Sequence, residues 1–588
     1  MKKTLALLFA LAACGDGARA PAPVTAATPT VVSSPVPTKE AAPAKREPVV
    51  VAIIVDQFAA WIAAERLPLL PPGGGLARLV KEGTWAKRVV YPYAITDTAP
   101  GHAALHTGRV PSVTGLFANE LPDPTSTRRA SIMRDPETKF VTADGVTKVA
   151  GASAARLRVA TVADRLRAAR PDALVISVSI KDRGAILPAG QKPSHVIWYD
   201  SWENAWGTST AFAEKLPSWM PFAKPKLPLD PWTPIDAAWI EAHSATKDDE
   251  PWEGNLDGFG TTFPHVAKSP VTYRASPASD RDITAIALAG VKAEWDPAKP
   301  TLILLSMSAF DVIGHTLGPD SWESWDELRH LDVTLGEFFD ALEKHVGGSV
   351  GVVLAADHGD IPAPEAVKPR EMYCKPNAPP DPWDRGCGGG ERLSPTALTV
   401  ELREAAAKAI GPGSFVAGLA DPYLFLTDAA RALPTAKLDA LDRAMRATLM
   451  KHRGVLKVLA SKELGMQCPD ALEKAGDDIL TLVCRAWPPG RPVVTEAGDY
   501  YVLTKKHSYF DAEYVIGKGT SHGTPYIYDR TIPLLVRAPG RADAGAVIED
   551  PIEFVAYSEI EASLLGLESR SPKEILTARR RSSAPGSP

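Results

Sequence analysis

Five short runs of apolar, largely β-branched residues constrain the fold of this chain more than any other feature. Within each run the apolar residues are continuous and do not alternate with polar ones. Continuous apolar runs of this length predict strands that are buried on both faces, as in a parallel sheet. The runs cover residues 49–55, 173–180, 301–309, 350–356 and 531–536.

Helical patterns lie between these runs. The clearest extends from about Trp325 to Val346, with its apolar side chains on one stripe. Strands that alternate with helices predict an α/β fold, with a mainly parallel central sheet and helices on both faces. The 588 residues suit one such domain at 48–565 that carries loop-rich insertions. Three insertions are predicted near 112–158, 200–280 and 360–510, and further helices near 159–169, 282–294 and 436–452.

The N-terminus is typical of a bacterial export signal. A basic start precedes an apolar run, Leu5–Ala13, which is too short to span a bilayer. "LAAC" at residues 11–14 resembles a lipoprotein box, so we expect removal of residues 1–13, lipidation of Cys14 and a Pro/Ala-rich tether over 14–47. This predicts a periplasmic protein that touches the outer membrane only through its anchor. The alternative is an ordinary signal peptide that contains a cysteine. Residues 566–588 are predicted to be a disordered tail.

Four further cysteines favour disulfide bonds, because an even number in an exported protein is typical of them. Cys374, Cys387, Cys468 and Cys484 allow three pairings. Pairing of sequence neighbours would close two short loops, each contributing roughly 3 kcal/mol in the chain-entropy model. A structural zinc site is the weaker alternative, since the chain has no C-x-x-C spacing.

Polar side chains follow four of the five predicted strands. One aspartate after a strand is commonplace as a turn or helix cap. In open α/β sheets, however, ligands bind beyond the carboxyl ends of the strands, and four strands that end in polar groups indicate a site there. The residues are Asp56 after the first run, Lys181 and Arg183 after the second, Asp311 and His315 after the third, and Asp357 and His358 after the fourth.

The aspartates and histidines of this set indicate metal ligands. Three protein ligands and an open position are typical of a catalytic zinc site. His522, in a glycine-flanked turn before the last run, brings the candidates to six, which divide into two sites of three. Two metals about 3.5–4 Å apart clamp the attacking and leaving oxygens of an in-line displacement, which is phosphoryl-transfer chemistry.

Thr98 begins the segment "TAPGH", which reads as the start of a helix. Threonine is a favoured helix cap and proline is common in the first turn, so this stretch alone favours a cap. The position also suits a nucleophile, because backbone N–H groups and the helix dipole favour an anion there. Coordination to zinc would lower the pKa of the hydroxyl, and the metal pattern therefore favours the nucleophile.

Together these residues resemble the alkaline phosphatase superfamily, and most of all its two-zinc branch with a threonine nucleophile. The resemblance covers about 48–560. Sulfatases of the superfamily need a C/S-x-P-x-R motif, from which "TAPGH" departs, so sulfatase activity is not expected as the main role. The resemblance implies that Asp311, His315 and His522 hold one zinc ion, and that Asp56, Thr98, Asp357 and His358 hold the other.

Three further residues favour phosphate monoesters over diesters. A monoester dianion carries an additional charged oxygen, which nearby cations stabilise in a water-poor site. Lys181 and Arg183 lie two residues apart and would share one face if the backbone stays extended. PafA-like monoesterases have such a K-x-R pair, and an asparagine about twenty residues beyond the threonine, where this chain has Asn119. Arg183 can bind phosphate oxygens bidentately, Lys181 acts as a point charge, and Asn119 donates hydrogen bonds.

The sequence therefore predicts a PafA-like periplasmic alkaline phosphatase with two Zn²⁺ ions. It would hydrolyse small-molecule phosphate monoesters through a phosphothreonine on Thr98. The formal net charge of −5 gives no indication of a nucleic-acid partner, and we expect a monomer. The alternatives are a phosphodiesterase like the nucleotide pyrophosphatases and, more remotely, a non-catalytic lipoprotein that binds phosphate.

Overall fold

A twelve-stranded mixed sheet forms the centre of the protein in a computed structural model, which describes residues 46–122, 129–469, 471–487 and 497–581. Smaller sheets accompany it. The strands are β1 (Val49–Val55), β2 (Thr84–Val90), β3 (Glu120–Pro122), β4 (Arg129–Ser131), β5 (Arg134–Thr142), β6 (Gly145–Ala152), β7 (Leu174–Ser179), β8 (His195–Asp200), β9 (Ala205–Ser209), β10 (Thr301–Met307), β11 (Gly351–Ala355), β12 (Arg392–Leu393), β13 (Val416–Ala420), β14 (Tyr423–Leu426), β15 (Val455–Ala460), β16 (Tyr500–Thr504), β17 (Tyr509–Phe510), β18 (Thr531–Arg537), β19 (Ala546–Ile548) and β20 (Ile552–Glu553).

The middle of the large sheet is parallel. Its strand order is β19-β2-β18-β11-β1-β10-β7-β8-β9-β5-β6, with β20 beside β2. Neighbours from β11 to β8 run parallel, and every residue of β1, β7 and β10 is buried, as the continuous apolar runs predict. The fifth run forms β18, which pairs antiparallel with both β11 and β2. The α/β prediction is confirmed, with a parallel centre and antiparallel pairs on both sides.

Helices cover the sheet in two packed groups. The described helices are α1 (Ala60–Arg66), α2 (Gly75–Glu82), α3 (Thr98–Thr107), α4 (Pro111–Thr114), α5 (Val162–Ala169), α6 (Asp182–Ala189), α7 (Ala237–His243), α8 (Pro270–Arg274), α9 (Pro277–Glu294), α10 (Ala309–Leu317), α11 (Trp322–Val346), α12 (Pro395–Ile410), α13 (Asp428–Arg431), α14 (Thr435–Leu449), α15 (Ser461–Gln467), α16 (Ile479–Ala486), α17 (Ile527–Arg530), α18 (Ala556–Leu564) and α19 (Pro572–Ala578). One packed group contains α2, α9 and α11, and the other contains α3, α5, α6 and α18. The four predicted helices are present as α5, α9, α11 and α14.

The third insertion, near 360–510, is more regular than the sequence suggested. It holds an antiparallel sheet of order β13-β14-β16-β15, and α12 packs against α14 beside it. Both disulfides join sequence neighbours, Cys374 with Cys387 and Cys468 with Cys484. The prediction of disulfides is therefore confirmed, and the pairing that the sequence left open is the one that closes the two short loops.

The prediction of a disordered tail from residue 566 is wrong as far as residue 581. Helix α19 begins with a capping box between Ser571 and Glu574, and it buries Ile575 and Leu576. These contacts fix a segment whose composition alone gave little sign of structure. The signal peptide, Cys14 and the tether up to residue 45 lie outside the described residues, as do 582–588. Among the described helices, none is both long and apolar enough to cross a membrane.

Candidate active site

The carboxyl ends of the parallel strands bring the predicted polar residues to one edge of the sheet. Asp56 directly follows β1, and Asp357 comes two residues after β11. Lys181 comes two residues after β7, and α10, which carries Asp311 and His315, starts two residues after β10. Because these four strands are parallel neighbours, their ends meet, as expected for ligand sites of open α/β sheets.

Asp311, His315 and His522 form the first ligand group. Asp311 and His315 lie four residues apart on α10, with His315 Nε2 3.2 Å from Asp311 Oδ1. His315 Nδ1 donates to the Thr520 carbonyl at 3.0 Å, and His522 Nδ1 donates to the Thr96 carbonyl at 3.0 Å. The two Nε2 atoms are then left 3.3 Å apart, facing each other and Asp311.

Asp56, Asp357 and His358 form the second ligand group. His358 Nδ1 donates to the Gly359 carbonyl at 3.0 Å, so that Nε2 points to Asp56 Oδ1 at 3.3 Å and Asp357 Oδ2 at 3.5 Å. The hydroxyl of Ser308 donates to the other oxygen of Asp56, Oδ2, at 2.8 Å. All three residues of this group are fully buried.

The Lys181 ammonium links the two groups electrostatically. Its Nζ lies 2.6 Å from Asp56 Oδ2 and 2.7 Å from Asp311 Oδ2. Burial alone would raise the pKa of Asp56, but Lys181 and His358 hold that pKa well below its usual range. Burial likewise opposes the charged form of Lys181, yet Asp311 and Asp56 raise its pKa. Burial and Asp56 oppose the charged form of Asp311, but Lys181 and His315 lower its pKa. Asp56 and Asp311 are therefore both ionised, as metal ligands must be.

The histidines differ in charge. Burial and the neighbouring His358 and His315 hold the pKa of His522 well below its usual range, so His522 is neutral with a free lone pair on Nε2. Burial opposes the charged form of His358, but Asp357 and Asp56 raise its pKa to about 10. Burial and Asp56 in turn raise the pKa of Asp357.

The residues fit metal ions. In each group one ligand atom per residue can be chosen so that all lie within 4.8 Å of one another, and a third such group combines Asp97, His358 and His522. Nitrogen from imidazole and oxygen from carboxylate suit a divalent transition metal. Several of the inward-facing atoms are buried and lack a hydrogen-bond partner among the described residues: Asp56 Oδ1, Asp311 Oδ1, Asp357 Oδ2 and His358 Nε2.

Thr98 is the first residue of α3 and is 1% exposed. The helix cap is Asp97, whose side chain accepts from the Thr98 amide at 3.1 Å, so the threonine hydroxyl is not used as the cap. Gly101 allows α3 to approach the second ligand group, because a Cβ there would lie 2.1 Å from the Asp357 carbonyl oxygen. The packing of α3 thus places Thr98 in the wall of the cavity that Asp311, His315 and His522 also line.

Asn119, Lys181 and Arg183 line the same cavity as Thr98. Asn119 Nδ2 lies 3.4 Å from Thr98 Oγ1, and its Oδ1 accepts from the Ala99 amide at 2.7 Å. Lys181 Nζ lies 3.5 Å from Thr98 Oγ1. The expectation of an extended backbone at Lys181–Arg183 is wrong, because α6 begins between them at Asp182. Lys181 is its cap residue and Arg183 lies in its first turn, and both still reach the cavity.

Two further residues contact the first turn of α3, and sequence reasoning missed one of them, Asp97. Asp97 caps α3 and accepts from Asn119 Nδ2, besides lying within ligand distance of His358 and His522. His102 donates from Nδ1 to the Thr98 carbonyl at 2.9 Å and accepts at Nε2 from Ser306. Only its spacing of four from Thr98 hinted at this contact, which orients the first turn of α3.

Comparison with known proteins agrees with this geometry. A family model described as type I phosphodiesterase / nucleotide pyrophosphatase matches residues 50–373. The alkaline phosphatase PhoV of Synechococcus elongatus is 34% identical over 336 residues, which span 54% of this chain and 60% of PhoV. The alkaline phosphatase PhoK of a Sphingomonas species is 29% identical over 503 residues, or 83% of each chain. The alkaline phosphatase PafA of Elizabethkingia meningoseptica is 27% identical over 515 residues, which span 83% of this chain and 86% of PafA.

Solved structures show the same fold. The crystal structure of wild-type alkaline phosphatase PafA matches with a TM-score of 0.70 at 24% identity, over 90% of this chain and 97% of that one. The curated alkaline phosphatases support phosphoester hydrolysis by this chain. The family model spans more than half of the chain. The chain therefore belongs to the type I phosphodiesterase/nucleotide pyrophosphatase family of the alkaline phosphatase superfamily.

Proposed function

We propose that the protein is a phosphomonoesterase in which Thr98 is the nucleophile. The position of its hydroxyl carries the proposal. Thr98 Oγ1 lies at the N-terminus of α3, within 3.5 Å of Lys181 Nζ, in a cavity that His315 and His522 also line. A helix N-terminus and a buried ammonium both stabilise negative charge, which a phosphate group brings and an attacking oxygen develops.

The two ligand groups would each hold one zinc ion, with Thr98 as a further ligand beside Asp56, Asp357 and His358. When bound, zinc would lower the pKa of the threonine hydroxyl and stabilise charge on the attacking and leaving oxygens. The Thr98 hydroxyl would lose its proton to solvent, and Oγ1 would form a bond to phosphorus as the bond from phosphorus to the leaving oxygen breaks. The leaving oxygen takes up a proton from water and departs as the alcohol, which gives a phosphothreonine. Water then breaks the new ester and releases inorganic phosphate.

Three side chains would stabilise the transferred group. Arg183 offers a guanidinium fork for two phosphate oxygens, and Lys181 offers a point charge. Asn119 already directs Nδ2 toward Thr98 Oγ1 and would donate to a phosphate oxygen at that position. Positive charge at this place favours a dianionic monoester over a monoanionic diester. The second candidate function is a phosphodiesterase, because the matching family is described as type I phosphodiesterase / nucleotide pyrophosphatase.

The ratio of kcat/KM for p-nitrophenyl phosphate to that for its methyl diester tests this proposal. We expect the wild type to favour the monoester. Lys181→Ala/Arg183→Ala should lose at least about 10²-fold in monoester kcat/KM and much less for the diester, because each removed cation stabilises the additional charge. Lys192→Ala, which removes an exposed cation just beyond α6, is the matched control. A wild type that favours the diester, or a ratio that the double variant leaves unchanged, would make the protein a phosphodiesterase.

We also propose that the protein is periplasmic and anchored through Cys14. The basic and apolar N-terminus and the box "LAAC" support this. In cell fractionation, the wild type should sediment with outer membranes, and Cys14→Ser should leave that fraction while the purified protein keeps its kcat/KM. An unchanged distribution of Cys14→Ser would contradict lipid anchoring at this residue.

A further inference from the structure

Asp97 accepts two hydrogen bonds with one carboxylate oxygen at the start of α3. Its Oδ1 accepts from the Thr98 amide at 3.1 Å and from Asn119 Nδ2. A helix cap needs only the first of these bonds, and serine, threonine or asparagine would supply it as well. The second bond reaches a residue 22 positions further along the chain, and capping of α3 does not explain it.

The side-chain amide of Asn119 is fixed at both of its ends. Its Oδ1 accepts from the Ala99 amide at 2.7 Å, which distinguishes the oxygen end of the group from the nitrogen end. Nδ2 carries two hydrogens, and Asp97 accepts one of them. Nδ2 also lies 3.4 Å from Thr98 Oγ1. The second hydrogen is therefore left on the side of the Thr98 hydroxyl, where the phosphate group of a substrate would be bound.

We propose that Asp97 is a positioning residue, which holds the Asn119 amide in the direction that the transferred phosphoryl group requires. The proposal rests on the proposed function, in which Asn119 Nδ2 donates to a phosphate oxygen. Without Asp97, the Asn119 side chain would keep only its bond from the Ala99 amide and could turn about it. A donor that is already oriented needs no reorganisation as charge develops, so a fixed Nδ2 stabilises the transition state more than a mobile one.

The alternative is that Asp97 is a metal ligand, because Asp97, His358 and His522 offer ligand atoms that lie close together. The orientation of His522 argues against this role. His522 presents Nδ1 to Asp97 Oδ1, at 3.7 Å, and Nδ1 already donates to the Thr96 carbonyl. Its Nε2 faces Asp311 instead, 3.8 Å from Oδ1. The second hydrogen bond of Asp97 Oδ1 thus remains a contact that neither the cap nor the two ligand groups require.

A double-mutant cycle between Asp97 and Asn119 tests the proposal on the zinc-loaded protein. Asp97→Ser keeps a favoured helix cap, but its hydroxyl is too short to hold Asn119 at the same time. We expect it to lose about 10-fold in kcat/KM for p-nitrophenyl phosphate, with a Tm near that of the wild type. In the Asn119→Ala background the same substitution should cause no further loss. Asp97→Asn keeps an oxygen that can accept both bonds, and it should recover most of the activity.

Two controls distinguish this role from a cap and from a metal ligand. Asp236→Ser makes the same substitution at the cap of α7, outside the cavity lining, and should leave kcat/KM unchanged in both backgrounds. Asp97→Ser should also keep the zinc content of the wild type, and a fall in zinc content would make Asp97 a metal ligand instead. Wild-type activity in Asp97→Ser, a loss of the same size in the Asn119→Ala background, or an Asp97→Asn variant as impaired as Asp97→Ser would each overturn the proposal.

A failure of the proposed function would give a different result. A wild type that favours the methyl diester fails as a monoesterase, and the cycle is then measured with the diester, since Asn119 would still face a phosphate oxygen. For a wild type that hydrolyses neither ester, calorimetry measures the affinity for inorganic phosphate, and the same coupling is expected. If Asp97→Ser does not fold, Asp97→Thr, which is also a favoured cap, replaces it.

Discussion

Three histidines of the candidate site are oriented by the backbone. His315, His358 and His522 each donate from Nδ1 to a main-chain carbonyl, and each carbonyl belongs to a different segment. This bond fixes the tautomer and turns Nε2 toward the carboxylates, an arrangement typical of ligating histidines. The orientation of each histidine therefore depends on the position of a main-chain carbonyl group, which the pattern of side chains in the sequence does not predict.

Substitution of Thr98 separates nucleophilic from structural roles. Thr98→Ala should lose at least about 10³-fold in kcat/KM for p-nitrophenyl phosphate, because it removes the attacking oxygen, while its Tm stays near that of the wild type. Thr98→Ser keeps the oxygen and should retain much of the activity. An active Thr98→Ala variant would contradict a phosphothreonine on Thr98. The Tm of both variants, measured by thermal unfolding, checks that they are folded.

Residue types after predicted strands located most of the candidate site in advance. Asp56, Asp311 and Asp357 followed from the meeting of parallel strand ends, which depends only on short runs of sequence. Asp97 could not be found in this way, since an aspartate before a helix reads as a cap, and it is one. Asp97 lies near His358 and His522 because segments that are distant in sequence come together in the fold. A pattern of neighbouring residues cannot predict such a contact.

At the scale of elements, a pair of buried acids lies where α9 packs against α11. Asp280 on α9 accepts from the amides of Ser308 and Ala309, at 3.2 and 3.4 Å, and so supports the start of α10. Glu327 on α11 is fully buried beside it. Burial raises the pKa of Asp280 to about 7, and burial together with Asp280 raises the pKa of Glu327 well above its usual value.

This pair should make stability fall as the pH rises. A carboxyl whose pKa is raised on folding contributes stability fully below its unfolded pKa of about 4, and loses that contribution as the pH rises through its folded pKa. The folded pKa is about 7 for Asp280 and lies well above the usual value for Glu327. Glu327→Gln removes one acid, so its free energy of unfolding should exceed that of the wild type by about 1–2 kcal/mol at pH 9 and equal it near pH 5. Denaturant unfolding at both pH values measures this.

Glu337→Gln provides the control for that experiment, because Glu337 is exposed on the same helix. It should leave the free energy of unfolding unchanged at both pH values. A Glu327→Gln variant that is less stable than the wild type at pH 9 would show instead that Glu327 is ionised and stabilising.

The sequence pattern predicted the bounds of most long helices and strands to within a few residues. It predicted less well how the strands pair with one another. The runs at 49–55 and 531–536 look alike in sequence, yet β1 is parallel to its neighbours and β18 is antiparallel to its own. The direction of a strand depends on the end of the sheet at which the chain enters it. That in turn depends on how the connecting helices and loops pack, which the strand's own sequence does not show. For the same reason, the small sheet of the third insertion was not evident from its short, interrupted strands.

At the scale of the whole molecule, bound cations should contribute to stability as well as to catalysis. The candidate site places three aspartates in the interior, Asp311 in the first ligand group and Asp56 and Asp357 in the second. Prolonged chelation should abolish hydrolysis of p-nitrophenyl phosphate and lower the Tm, because the carboxylates lose compensating charge. Zinc should restore both quantities.

Asp357→Asn should show a smaller drop in Tm on chelation than the wild type, since it removes one of the charges that require compensation. The wild type could show no phosphoester hydrolysis even before chelation, while chelation still lowers its Tm. That result would favour the alternative of a non-catalytic lipoprotein that binds phosphate. Turnover that survives complete metal removal would contradict a metal-dependent mechanism.

The placement of β18 has a consequence for the order of events during biosynthesis. Within the described sheet, β2 pairs only with β18, β19 and β20, and the residue partners of β2 and β18 are 441 to 452 positions apart along the chain. His522 precedes β18 by nine residues. A nascent chain therefore has neither His522 nor a partner for β2 in this sheet until more than 400 residues beyond β2 have been synthesised. If the chain is exported before it folds, as the periplasmic location that we propose would allow, it would acquire the proposed metal ions and the proposed activity only after export.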